Sequence, residues 1–147
     1  MTRNELTELI VEAKLKKGLS WADLAKVVGK SEIWTTAALL GQMSMEKKEA
    51  EAAIKKLGLP KETAALLQVC PSKGALGTVV PTDPLLYRFY EILQVYGTTI
   101  KELIHEKFGD GIMSAIDFEM HMDKIPDPKG DRVKITMNGK FLPYKKW

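Results

Sequence analysis

The stretch LLYRFYEILQVY, residues 85–96, is apolar on almost every side when it is placed on a helix. A helix of that kind is expected to be buried, yet it carries two full charges, Arg88 and Glu91. Charged side chains are almost never fully buried unless a partner compensates them. The sequence therefore predicts that these two residues either pair with each other or bind a ligand.

Arg88 and Glu91 stand three positions apart, a spacing that puts both side chains on one face of a helix. The simplest interpretation is a surface ion pair, which stabilises a helix by only about 0.2–0.5 kcal/mol. Ile92 and Val95 lie beside the pair, so that face also looks covered. In a covered site the planar guanidinium suits a small planar anion, and the carboxylate holds it in place. The residues alone leave both interpretations open.

The segment before this helix, PSKGALGTVVPTDP over residues 71–84, contains three prolines and two glycines and cannot sustain a helix. It predicts a linker between a domain of residues 1–75 and a domain of residues 76–147. Asp83 or Thr82 is expected to cap the helix that follows.

A second helix is predicted after Gly97, in TTIKELIHEKFGDG. Thr99 and Glu102 have the spacing of a capping box at its start, and Gly109 marks its end. The sequence thus predicts two helices in the second half of the chain.

The first half of the chain predicts a compact bundle of short helices, most of which end at a glycine. Ser20 and Asp23 form an approximate capping box, and Pro60 suits a first helical turn. The predicted helices cover residues 3–16, 21–28, 31–40, 45–57 and 60–69.

Apolar and polar residues alternate from Ile112 onward, which predicts a strand. Its apolar side would hold Ile116, Phe118, Met120 and Met122. Ser114, in GDGIMSAI, places a lone hydroxyl where helix gives way to strand. No GxSxG motif or nearby histidine base marks it as a nucleophile, so it is either a small residue at a strand start or a hydrogen-bond donor.

The pair Asn138–Gly139 is typical of a tight hairpin turn, and it would join the short strands VKITM (133–137) and KFLPY (140–144). Two or three strands from one chain are marginally stable in water. We therefore expect these strands to pair with those of a second copy of the chain.

Residues 18–41, GLSWADLAKVVGKSEIWTTAALLG, resemble the helix-turn-helix of phage-repressor-like domains. A DNA-reading second helix presents Arg, Lys, Asn or Gln to base edges, but SEIWTTAALL holds the acidic Glu32 and no basic residue. We expect Trp34, Leu39 and Leu40 to pack against a partner subunit, and we expect no nucleic-acid binding. The alternative is an oligomeric helix-turn-helix DNA-binding regulator with a ligand-sensing C-terminal domain.

The composition excludes several other classes of site. Cys70 is the only cysteine, so an internal disulfide cannot form. His105 and His121 are the only histidines and lack metal-site spacing, so no metal is expected. No apolar window is long enough to span a membrane, and the N-terminus is too polar for a signal peptide. We expect a cytoplasmic protein that does not bind membranes.

A long resemblance appears in PTDPLLYRFYEILQVYGTTIKELIHEKFGDGIMSAIDF, residues 81–118, which resembles the signature region of the cyanase family, also called cyanate hydratase or cyanate lyase. It continues through DPKGDRVKITMNGKFLPYKKW, residues 127–147. The resemblance implies an α+β, mainly α fold. An N-terminal helical bundle resembling a repressor-like helix-turn-helix domain would precede a small helix-plus-strand domain that pairs between subunits.

The resemblance also implies a reaction, in which an enzyme converts cyanate and bicarbonate to carbamate and carbon dioxide. The carbamate then decays to ammonia and carbon dioxide. Bicarbonate is the co-substrate, and neither a metal nor an organic cofactor takes part. By motif, the catalytic arginine and glutamate of the family fall on Arg88 and Glu91 of YRFYE, and its serine falls on Ser114 of GDGIMSAI.

The resemblance further implies a decamer, a pentamer of dimers with sites at subunit interfaces. Neighbouring copies would then cover residues 85–96, so that Arg88 and Glu91 are exposed in a lone chain. In this hypothesis Arg88 binds the anions, while Ser114 and the backbone amide of Ala115 donate hydrogen bonds to an anion oxygen.

Overall fold

The computed structural model describes residues 1–71, 74 and 77–146. The chain divides into two compact units, one formed by Met1–Ala75 with Met120–Thr136 and the other by Leu76–Glu119 with Met137–Trp147. Helices predominate and a two-stranded sheet accompanies them, which confirms the predicted α+β, mainly α class. None of the described helices is long and apolar enough to cross a membrane.

The first half folds into the short helices that its sequence predicts. Ser20 caps α2 through a reciprocal capping box, in which the backbone N–H of Asp23 donates to Ser20 Oγ at 3.0 Å and that of Ser20 donates to Asp23 Oδ2 at 2.9 Å. The last predicted helix begins instead with a 3₁₀ turn, Lys61–Thr63. The α-helices are α1 (Arg3–Lys16), α2 (Trp21–Val28), α3 (Glu32–Leu39), α4 (Lys47–Leu57) and α5 (Ala64–Gln68).

These helices close a hydrophobic core within a single chain. Leu39, which we expected to face a partner subunit, is fully buried in this core, and Trp34 packs against it. Only Leu40 of that predicted set is exposed. The largest fully buried side chains are Leu6, Ile10, Leu24, Leu39, Ile54, Leu57, Leu67 and Thr35.

The predicted linker lies partly outside the described residues, because Ser72, Lys73, Ala75 and Leu76 are not described. The predicted domain boundary at residues 75 and 76 falls on the same gap.

One long helix, α6 (Pro84–Phe108), replaces the two helices predicted on either side of Gly97. Asp83 caps it as predicted, with Oδ1 accepting from the backbone N–H groups of Leu85 at 3.0 Å and Leu86 at 2.9 Å. A glycine inside a helix costs only about 1 kcal/mol relative to alanine, so Gly97 alone cannot interrupt a helix of 25 residues. The capping box predicted at Thr99 is therefore wrong.

The sheet consists of β1 (Gly111–Ile125) and β2 (Arg132–Pro143). The chain reverses in residues 126–131, where the backbone N–H of Gly130 donates to the carbonyl of Asp127 at 3.0 Å. The turn predicted at Asn138–Gly139 is wrong, because both residues lie inside β2. Gly130, with φ of 122°, provides the conformational freedom that this reversal needs.

The predicted apolar side of β1 finds little cover within the chain. Phe118 and Met120 are half-buried, but Ile116 is 98% exposed and Met122 is also exposed. No residue of α6 is buried either.

Candidate active site

Arg88 and Glu91 form an ion pair on α6, with Arg88 Nη1 3.2 Å from Glu91 Oε2. The prediction that the two residues pair is thus confirmed. Their side chains are 65% and 46% exposed, so the burial expected from residues 85–96 alone is wrong for a single chain. This exposure is the one expected for Arg88 and Glu91 in a lone chain.

Tyr87 is a third member of this group that sequence reasoning missed. Arg88 Cζ lies 5.9 Å from the centroid of the Tyr87 ring, within range of a cation–π interaction. The Tyr90 ring lies 6.0 Å from the Tyr87 ring, at an interplanar angle of 34°. Aromatic residues next to an arginine in YRFYE were the available signal.

These contacts leave part of the guanidinium free. Within the described residues, Arg88 makes no hydrogen bond or ion pair besides the one through Nη1. Its Nε and Nη2 groups carry further N–H donors in the same plane. Arg88 therefore contacts Glu91 and Tyr87, while most of its donors make no contact with the described residues.

Ser114 lies near the start of β1 and is only 6% exposed. Its Oγ accepts hydrogen bonds from the backbone N–H groups of Ile116 at 3.1 Å and Asp117 at 3.0 Å. A serine hydroxyl has two acceptor lone pairs and one proton, so this arrangement uses both acceptors. What remains is the hydroxyl proton, which these two hydrogen bonds leave available for donation.

Other polar groups near β1 serve the local structure. His105 Nε2 lies 3.1 Å from the carbonyl oxygen of Gly111, and its Nδ1 lies 3.7 Å from Asp110 Oδ1. His105 thus links the last turn of α6 to the first residue of β1. Within residues 1–71, 74 and 77–146, no three His, Cys, Asp or Glu side chains form a group that could hold a metal ion.

Comparison with known proteins gives matches over nearly the whole chain. The family model described as cyanate hydratase, N-terminal, matches residues 3–71, and the one described as cyanate lyase C-terminal domain matches residues 78–146. A cyanate hydratase of Ralstonia pickettii (strain 12J) is 65% identical over 99% of both chains. One of Dechloromonas aromatica (strain RCB) is 63% identical, also over 99% of both chains. This chain belongs to the cyanate hydratase family.

A solved structure shares the fold with this member of the cyanate hydratase family. The crystal structure of cyanase from T. urticae superimposes with a TM-score of 0.82 at 38% sequence identity. The match covers 94% of this chain and 96% of that chain.

A single chain of this cyanate hydratase family member does not bring all the predicted site residues together. Ile112 and Met113, directly before Ser114, line a cleft with α6 residues between Gly97 and His105. Arg88 lies nine residues before Gly97, which is about 13 Å further along the helix axis. No hydrogen bond joins Ser114 to Arg88 or Glu91. The pair on α6 and the hydroxyl on β1 are therefore not in contact within a single chain.

Proposed function

We propose that this protein is a cyanate hydratase that decomposes cyanate in a bicarbonate-dependent reaction in the cytoplasm. Cyanate, bicarbonate and one proton give carbamate and carbon dioxide, and carbamate takes up a second proton to give ammonia and carbon dioxide. The observation that carries the proposal is the 65% identity to a cyanate hydratase over 99% of both chains. The chemistry of Arg88, Glu91 and Ser114 suits the same reaction.

Two anions must meet in this reaction and form an adduct with two negative charges. Such charge requires fixed donors and cations that are already oriented when the reactants arrive. Arg88 offers its free N–H donors to the anions, while Glu91 and Tyr87 hold the guanidinium and limit its repulsion from other cations. In this proposal Arg88 is the anchor, and Glu91 is the group that orients it.

Ser114 and Ala115 supply hydrogen bonds in the proposed mechanism. The Ser114 hydroxyl has its proton to donate, since both of its acceptor positions are filled by backbone N–H groups. The backbone amide of Ala115 adds a second donor. Together they bind an anion oxygen while a bicarbonate oxygen attacks the cyanate carbon. The proposed reaction uses no metal and no organic cofactor, since these donors and Arg88 supply the charge stabilisation.

Assembly completes the site in this proposal. Many large apolar side chains of α6 are exposed, and contiguous apolar surface of that extent marks an interaction site. The edges of a two-stranded sheet also invite pairing with another chain. We propose that the occupant is further copies of this chain, in a decamer built as a pentamer of dimers. The apolar residues concerned are Leu85, Leu86, Phe89, Ile92, Leu93, Val95, Ile100 and Leu103.

The test is ammonia release from cyanate, measured with and without added bicarbonate. Purified protein should release ammonia only when both anions are present. Protein that releases no ammonia from cyanate under either condition would refute the proposal. A salt-dependent shift of DNA in a gel by the same inactive protein would favour the alternative, an oligomeric helix-turn-helix DNA-binding regulator.

A further inference from the structure

The backbone of β2 comes unusually close to Ser114 at Gly139. A Cβ atom built on Gly139 would lie 2.5 Å from the backbone carbonyl oxygen of Ser114 and 2.5 Å from Cγ of Met113. A carbon and an oxygen that are not bonded to each other do not approach so closely without displacement. The Met113 side chain could turn away, but the carbonyl oxygen moves only if the strand moves.

Gly139 is required here for space and not for an unusual backbone conformation. Its φ is not among the positive values found at other glycines such as Gly109 and Gly130. A glycine inside a strand often marks a place where another backbone approaches closely. This explains why Asn138–Gly139, which the sequence marks as a turn, lies within β2 instead.

The contact bears directly on the two proposed hydrogen-bond donors. The carbonyl of Ser114 and the N–H of Ala115 belong to one trans peptide, so they point in opposite directions. With the carbonyl next to Gly139, the N–H of Ala115 lies on the side away from that contact. The Ser114 hydroxyl is held at the same time by the N–H groups of Ile116 and Asp117.

We propose that Gly139 is a positioning residue of the anion site, because its lack of a side chain lets β2 fix the Ser114–Ala115 peptide and thereby aim both donors. This inference rests on the proposed function of Ser114 and Ala115. Gly139 touches no substrate in it and acts only through its contact with the Ser114 carbonyl. A methyl group at position 139 displaces that carbonyl and turns the Ala115 N–H with it.

The chain provides two matched control glycines. Gly111 lies in the same sheet, and the atoms nearest to a Cβ there belong to the Phe141 ring and the carbonyl of Leu142. Gly77 lies outside the sheet, and a Cβ there would meet nothing within 4 Å. Gly111→Ala therefore strains the sheet chiefly through Phe141 and Leu142, and Gly77→Ala reports the effect of an added methyl group alone.

The experiment is a double-mutant cycle with Gly139→Ala and Ser114→Ala in the full-length protein. The readouts are the affinity for azide, a linear anion isoelectronic with cyanate, measured by calorimetry, and kcat and KM for cyanate. Mass by light scattering and the melting temperature report assembly and stability. We expect Gly139→Ala to keep the wild-type mass while azide affinity and kcat/KM each fall at least about tenfold, an effect of the size found for misplaced catalytic groups.

Coupling between the two positions separates positioning from general strain. Residues that act as one unit give non-additive losses, so the loss of azide affinity in the double variant should be clearly smaller than the product of the two single losses. Some further loss beyond Ser114→Ala is expected, because Gly139→Ala still misplaces the Ala115 N–H. Losses that multiply in the double variant would overturn the proposal. The same would follow if Gly111→Ala lowered azide affinity as much as Gly139→Ala at equal mass.

A companion variant covers the case in which Gly139→Ala does not assemble. A variant that combines Met113→Ala with Gly139→Ala removes the clash between residue 139 and the Met113 side chain but keeps the clash with the Ser114 carbonyl. This variant takes the place of Gly139→Ala in the double-mutant cycle. If this variant also fails to assemble, Gly139 is only structural and the proposal is wrong. Turnover of cyanate by the wild-type protein is measured first, because its absence refutes the proposed function. If the wild-type protein is active but the losses of azide affinity in Gly139→Ala and Ser114→Ala multiply, only the proposed role of Gly139 is refuted.

Discussion

The bundle of α1–α5 and the helix α6 contain similar apolar side chains but use them differently. The bundle buries its leucines and isoleucines within one chain, whereas α6 buries none of its residues. Burial of apolar surface is the main favourable contribution to folding, so the bundle carries its own stability. The difference is consistent with the proposal that other copies of the chain cover α6, on which the proposed site residues Arg88 and Glu91 lie.

The largest effect should come from placing a charge on the exposed apolar surface of α6. Leu93 is 62% exposed in a single chain. If other copies cover it, Leu93→Asp buries an unpaired carboxylate, which costs several kcal/mol. We expect the protein to dissociate and to lose cyanate turnover at the same time, as measured by light scattering and ammonia release.

Leu15→Asp is the matched control in the bundle. Leu15, in α1, is 70% exposed, so the same substitution there should leave both mass and turnover unchanged. Wild-type mass in Leu93→Asp would contradict the idea that α6 is an interface. Full turnover in a dissociated Leu93→Asp protein would show that one chain holds a complete site.

The next effect concerns Arg88 itself. Arg88→Lys keeps the charge but loses the planar set of donors that can bind an anion through two hydrogen bonds. We expect kcat/KM for cyanate to fall at least about 100-fold, which corresponds to about 2.7 kcal/mol. Arg132→Lys makes the same change on an exposed residue of β2, and its kcat/KM for cyanate should remain within about twofold of the wild-type value. Unchanged turnover in Arg88→Lys would remove Arg88 from its proposed role as anchor.

The sequence predicts the structure of the bundle better than it predicts the second half of the chain. In the bundle, caps and glycine stops are local signals, and they placed α1 and α2 at the observed residues. In the second half two local signals gave wrong predictions. Gly97 lies inside a long helix, which tolerates a glycine, and Gly139 lies against Ser114 of β1, which is distant in the sequence. Such contacts depend on tertiary packing, which no local pattern specifies.

The sequence predicted only part of the candidate site. The pairing of Arg88 with Glu91 followed from their spacing on a helix. Tyr87 was missed because neighbouring positions on a helix are not expected to face each other. For Ser114 the residues alone left two interpretations open, a small residue at a strand start or a hydrogen-bond donor. Its assignment to the site, like that of Ala115, came from the resemblance to a family.

A smaller effect is expected at Tyr87, whose ring lies against Arg88. A cation–π contact contributes about 0.5–2 kcal/mol, depending on how far it is removed from water. Tyr87→Leu should therefore raise KM for cyanate by about fivefold, while Tyr87→Phe, which keeps the ring, should stay within twofold of wild type. Equal KM values in the two variants would show that the ring does not position Arg88.

The smallest effect tests the self-contained bundle through the cap of α2. The hydrogen bond from the Ser20 hydroxyl to Asp23, together with that from the Ser20 backbone N–H, lowers the pKa of the Asp23 carboxyl below its usual value. Because the folded state favours the ionised carboxylate, this stabilisation is present above the pKa of an unfolded aspartate, about 3.9. It is lost as the pH falls below that value and through the lowered pKa of the folded state.

Ser20→Ala should therefore lower the free energy of unfolding by about 1 kcal/mol at neutral pH, the usual contribution of a capping serine. The difference in the free energy of unfolding between Ser20→Ala and wild type should narrow as the pH falls below about 4, because a protonated Asp23 accepts the hydrogen bond from the hydroxyl more weakly than the carboxylate does. Thr99→Ala is the control, since Thr99 lies inside α6 and caps nothing. Denaturant titrations between neutral and acidic pH measure both variants. If the difference in the free energy of unfolding between Ser20→Ala and wild type stays constant with pH, the stability of the bundle does not depend on the ionised form of Asp23.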